Sequence, residues 1–88
     1  MRDILKFVSE NTKVKVDNMT YTLNISILLE QMSKEGKYTI EEIAYNFLQC
    51  YYNRLINANI DFRQEMIQPS TSDILGITST GINFMNQD

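Results

Sequence analysis

The residue types that carry chemistry are few in this chain, and their spacing points to recognition more than to reaction. There is no histidine, so the commonest general base and transition-metal ligand is missing. No glycine-rich phosphate loop and no cysteine pair at metal-binding spacing occurs. Glu41 and Glu42 are adjacent carboxylates, but they stand at the start of a helical pattern, where negative charge complements the helix dipole. Cys50, the single cysteine, sits at the edge of an apolar stripe and reads as a small buried hydrophobe; a reactive thiolate needs a cationic setting. We therefore expect no enzyme, no catalytic residue, no bound metal, no cofactor and no small-molecule substrate.

A second set of residues repeats at helical spacing. Asn46, Gln49 and Asn53 recur at three- and four-residue intervals, and amide side chains can pair with adenine in the major groove. Tyr45 and Tyr52 flank that row and can donate to phosphates, while Arg54 and Arg63 supply charge, with Lys34 and Lys37 upstream. The same face also reads as a solvated helix surface. It also reads as a protein contact built on Tyr45, Tyr52 and Ile56, because tyrosine covers a large area with few rotatable bonds. Met66, Ile67 and Met85 add a soft apolar patch to that reading.

The elements that must position these residues follow from periodicity. Ile4, Leu5 and Val8, with Phe7, predict a first helix ending near Asn11. Lys13 to Val16 and Tyr21 to Leu23 alternate around Asp17-Asn18 and predict a short strand or hairpin. Ile25, Leu28, Leu29 and Met32 predict a second helix, capped by Asn24 and stopped at Gly36. Thr39 with Glu42 is a capping-box pair. It opens a stripe of Ile40, Ile43, Ala44, Phe47, Leu48, Tyr51 and Leu55, so the third helix is expected over 40–57. A wing is expected over 60–78, with Ile60 to Met66 and Asp73 to Thr78 as strands around the turn-rich 68–72. Thr78 or Ser79 caps a short last helix, into which Gly81 allows close packing. This order is that of an α+β winged helix-turn-helix: three main helices, a small antiparallel sheet and wing, and a short C-terminal helix, in one domain over 1–88.

Composition sets the limits. At 88 residues with 43% hydrophobic and 22% charged residues, the chain suits one globular core. No apolar run approaches the roughly 18 residues needed to span a bilayer, and the first residues carry acids where a signal peptide needs an apolar segment. We expect a cytoplasmic protein with no membrane partner. Charge is uneven: residues 1–37 carry six cations against five acids, and the remainder carries two arginines against six acids, a net of −4. A specific DNA binder makes about 6 to 10 phosphate contacts. The acidic half weakens duplex binding and suits a protein partner better, whether a second copy or a regulator.

Three stretches carry a resemblance. MRDILKFVSENT, YTIEEIAYNFLQCYYNRLINANI and ILGITSTGINFMNQ resemble the small DUF2513 proteins of bacteria and their prophages. Those proteins have the patterns R-x-I-L-x-x-[IV]-x-E-N, Y-[ST]-x-E-E-I-x-Y-H-x-x-x-L and [IL]-T-x-x-G-H-x-F-[LM]. Asn46 and Ile82 stand where the family type has histidine, and the chain stops at Asp88 before the longer final helix expected of the family. The resemblance implies a winged-helix fold and a phage or mobile-element setting, without an activity. Together these expectations describe a non-enzymatic regulatory or accessory protein, binding double-stranded DNA through helix three and the wing or, alternatively, a homodimer or protein partner.

Overall fold

A computed structural model describes residues 2–12 and 22–87. The chain is α+β. Helix α1 (Arg2–Asn11) is followed by strand β1 (Leu23–Asn24), helices α2 (Ile25–Lys34) and α3 (Ile40–Tyr52), and strand β2 (Ile56–Asn59). Two short strands, β3 (Phe62–Arg63) and β4 (Met66–Ile67), then precede a single 3-10 turn (Pro69–Thr71), strand β5 (Asp73–Ile77) and helix α4 (Ser79–Met85). The hairpin expected over 13–23 lies outside the described residues except for Thr22 and Leu23.

Local signals set most boundaries. Asn24 caps α2 by accepting from the Ser26 amide at 3.0 Å, and Gly36 leaves the helix at φ +75, the left-handed step that glycine makes most easily. Thr39 Oγ1 accepts from the Glu42 amide at 3.2 Å, and Glu42 Oε1 accepts from the Thr39 amide at 2.9 Å. This capping box satisfies two otherwise free donors. Thr39→Ala is expected to lower stability by about 1 kcal/mol, seen as a melting point down by about 4–8 °C. An unchanged melting curve would show that the box adds nothing to the folded state.

The third helix is shorter than its apolar stripe suggests, ending at Tyr52 rather than near residue 57. Arg54 turns left-handed at φ +60; its amide donates to the Tyr51 carbonyl at 3.0 Å, and the Leu55 amide donates to the Cys50 carbonyl at 2.9 Å. That pair of bonds is a Schellman motif with arginine in the position usually held by glycine. Thr78 secures the turn from outside. Its hydroxyl donates to the Arg54 carbonyl at 2.7 Å, and its amide donates to the Leu55 carbonyl at 3.0 Å. The same hydroxyl accepts from the Gly81 amide at 2.9 Å, so one residue caps α4 and closes the end of α3.

The chain released at Leu55 becomes β2, which corrects the expected wing. Strand β5 pairs antiparallel with β1 and β2, in the order β1-β5-β2. The partner of residues 73–77 is therefore 56–59 rather than 60–66. A register shift at Asn57/Ala58 leaves Leu75 unpaired and exposed, and this bulge lets Ile74 and Ile77 both lean toward the helices. Residues 60–67 form the separate β3-β4 hairpin, turning through Gln64 and Glu65 at φ 53 and 66, the paired positive angles of a type I′ turn. Ser72 stitches its base. The buried hydroxyl accepts from the Asp61 amide and donates to the Gln68 carbonyl, both at 2.8 Å.

The core lies between α1, α2, α3 and the inner sheet face, centred on fully buried Leu5, Val8, Leu28, Phe47, Cys50 and Ile74. Ile40 departs from the expected stripe: it opens α3 but is 51% exposed. It lines the flank of α3 next to Met66 and Ile67, whereas Ile43 and Asn46 line the flank next to Asp3 and Ile4.

Candidate recognition surface

The outer face of α3 places the predicted residues unequally. Tyr45 and Tyr52 are 64% and 61% exposed, the large aromatic area expected there. Tyr51 is half-buried and meets Tyr52 edge-on, with ring centroids 5.6 Å apart, so it lies at the margin of the core. Asn46 and Gln49 are half-buried and Asn53 is exposed. Both asparagines turn back onto the helix: Asn46 Nδ2 donates to the Glu42 carbonyl at 2.9 Å and Asn53 Nδ2 to the Gln49 carbonyl at 2.7 Å. Asn53 is the C-cap of α3, so the row of three amides does not continue as a helical ladder. Base readout would have to release both bonds.

Two further assignments change. Ile56, expected on the exposed tyrosine face, is only 2% exposed, because it starts β2 and pairs opposite Ile77. Arg54 is exposed at the helix end, but its direction is set by the left-handed turn rather than by helical periodicity. Beside it, Tyr51, Tyr52, Asn57 and Thr78 line a shallow depression of about 590 Å³.

The cations are dispersed. Lys34 pairs with Glu30 at 3.1 Å within α2. Lys37 pairs with Asp3 at 3.0 Å, and the Tyr38 hydroxyl donates to the same carboxylate at 2.9 Å. The Lys37 bond and then the Tyr38 bond hold the Asp3 carboxyl below its usual range, tying α1 to the start of α3. Arg63 pairs with Asp61 at 3.1 Å. The Thr71 hydroxyl donates to that carboxylate at 2.6 Å, and this bond, ahead of Arg63, lowers its pKa. Exposed pairs of this kind are worth about 0–1 kcal/mol and do not disable a lysine or arginine. The balance of charge matters more. Over residues 40–78 two arginines face five carboxylates, Glu41, Glu42, Asp61, Glu65 and Asp73, a net of −3.

Cys50 is buried, and loss of solvation pushes its thiol pKa up, away from the reactive thiolate. Among the described residues no group of three His, Cys, Asp or Glu could hold a metal ion. No helix among them is long and apolar enough to cross a membrane.

One feature escapes periodicity. An apolar groove of about 330 Å³ runs between the first half of α3, α2 and the β3-β4 hairpin. Its floor is Leu29 and Phe47, its walls are Ile40, Ala44, Leu48 and Ile67, and Met66 stands at its edge 67% exposed. Met66 and Ile67 carried a sequence signal as a soft patch. Their meeting with Ile40 and Leu48 depends on how the hairpin folds back, which no local pattern encodes. Compared with models of protein families, with curated proteins and with solved structures, the chain matches none.

Proposed function

We propose that the chain is a small winged helix-turn-helix protein of the DUF2513 type, with a regulatory or accessory role. Its outer α3 face engages a protein in preference to duplex DNA. The fold assignment is supported by the order helix, strand, helix, helix, strand, hairpin, strand, with β1, β5 and β2 forming one small sheet. In that arrangement α3 takes the recognition position and residues 60–72 take that of the wing.

The observation that carries the protein reading is the pairing of exposed tyrosines with acid. Tyr45 presents aromatic area one turn from Glu41 and Glu42, and exposed Tyr52 closes the far end of the same helix, a surface that disfavours phosphate at its start and suits a desolvating protein contact. DNA binding is the second reading. It is favoured by the recognition position of α3 and by Arg54, which is exposed and has no ion-pair partner among the described residues.

Affinity capture from a nuclease-treated bacterial lysate separates the two. A protein retained by the parent chain should survive nuclease and be lost from the Tyr45→Ala/Tyr52→Ala variant by about tenfold or more. It should remain on Arg54→Ala/Arg63→Ala. Circular dichroism checks that both variants keep the fold. Retention that disappears with nuclease and with the arginine pair would favour the DNA reading and reject the first.

A further inference from the structure

The groove beside α3 has properties that name the chemistry of what fills it. Ile40, Ala44 and Leu48 recur every four residues along one flank of α3. With Met66 and Ile67 opposite they leave an apolar trough whose most exposed members are Ile40 and Met66. Methionine is the side chain best able to reshape around an incoming residue. A volume of about 330 Å³ falls at the small end of binding pockets, roughly 300–1,000 Å³.

The trough is flanked by carboxylates on both sides. Glu41 lines it from the first turn of α3 and Glu65 from the hairpin turn. Both are exposed. Neither forms an ion pair among the described residues. Among the described residues no cationic side chain lines the trough. An anionic membrane or a nucleic acid is repelled by such a rim, and a symmetric second copy would bring the same carboxylates against each other.

We propose that this groove docks a partner protein through a short amphipathic segment, with one or two large aliphatic or aromatic side chains in the trough and lysine or arginine flanking them to meet Glu41 and Glu65. This deepens the protein-contact reading and rests on it: Tyr45 and Tyr52 lie on the neighbouring strip of α3, so one partner can cover both. Apolar anchors give such contacts their affinity, and complementary charges give them selectivity and speed of encounter.

The test is a titration of the isotope-labelled chain with an amphipathic peptide of about twelve residues, built from leucine and lysine at helical spacing. A matched peptide with glutamate in place of lysine serves as the control. Saturable amide shifts are expected on 40–48 and 62–67 with the lysine peptide and not with the glutamate one. Glu41→Gln/Glu65→Gln should weaken binding by about tenfold while preserving the spectrum's dispersion, and Met66→Ser should weaken it through the trough. The groove assignment is overturned if the glutamate peptide binds as well, or if the double Gln variant binds unchanged. Self-association that shifts the same residues, or groove shifts with phosphatidylglycerol vesicles and none with the peptide, would equally reject it. Binding that leaves the groove silent but is lost in Tyr45→Ala/Tyr52→Ala would keep the tyrosine face and reject the groove; the reverse pattern would keep the groove alone.

Discussion

Replacing Gly81 with alanine is expected to cost about 3 kcal/mol, although alanine is the better helix former by about 1 kcal/mol. The reason is distance. A Cβ at this position would stand 2.2 Å from the Leu55 carbonyl oxygen and 2.7 Å from Ile77 Cγ1. The first of these is backbone, held by the turn at Arg54 and by Thr78, so it cannot rotate away. Helix α4 would have to lift, straining the Gly81 amide's bond to Thr78 and with it the Thr78 bonds that close α3. With a urea slope near 1.5 kcal/mol/M, the unfolding midpoint should fall by roughly 2 M. A midpoint within about 0.3 M of the parent would mean that α4 does not sit this close.

Phe47→Ala should be as damaging for the opposite reason, because it empties space. Phe47 is fully buried beneath α2 and the groove, and truncating a buried phenylalanine costs about 3–5 kcal/mol. A domain of this size holds only about 5–15 kcal/mol in total, so the variant is expected to lose most of its cooperative melt and its near-ultraviolet signal. A sharp transition within a few degrees of the parent would show that the site collapses and that the core is looser than described. Because Phe47 floors the groove, this variant tests the fold and is unsuitable as a test of binding.

The boundaries that were legible in the sequence share a cause: each is written in residues within one turn of the break. Asn24, Thr39 with Glu42, Thr78 and Gly36 all act on their immediate neighbours; the sequence marks the first, second and fourth, and narrows the cap of α4 to Thr78 or Ser79, of which the structure has Thr78. The end of α3 was not legible. Leu55 continues the apolar period of the helix, and no glycine or proline marks the stop; the break is made by a left-handed arginine held from Thr78, 24 residues away. A helix continued through residue 57 absorbs the first residues of β2 and so misplaces the strand pairing. The partner of β5 begins with Ile56, which lies inside the span that the apolar period gives the helix.

The outer face of α3 divides in the same way. Exposure of Tyr45 and Tyr52 follows from helical phase, and so does burial of Cys50. The return of the Asn46 and Asn53 amides to carbonyls one turn earlier depends on side-chain rotamers, and the groove depends on the β3-β4 hairpin folding over Ile40 and Leu48. Neither leaves a periodic trace. The charge asymmetry was legible: over residues 40–78 the carboxylates outnumber the arginines by five to two.

The claim that this face avoids DNA is tested most directly by fluorescence anisotropy of a labelled random-sequence duplex of about 30 base pairs, titrated with the unmodified chain at about 50 mM salt. The charge balance predicts no saturable binding tighter than about 10⁻⁴ M, the weak limit of ordinary non-specific association. Micromolar binding that falls steeply with added salt, and is lost in Arg54→Ala/Arg63→Ala, would contradict it.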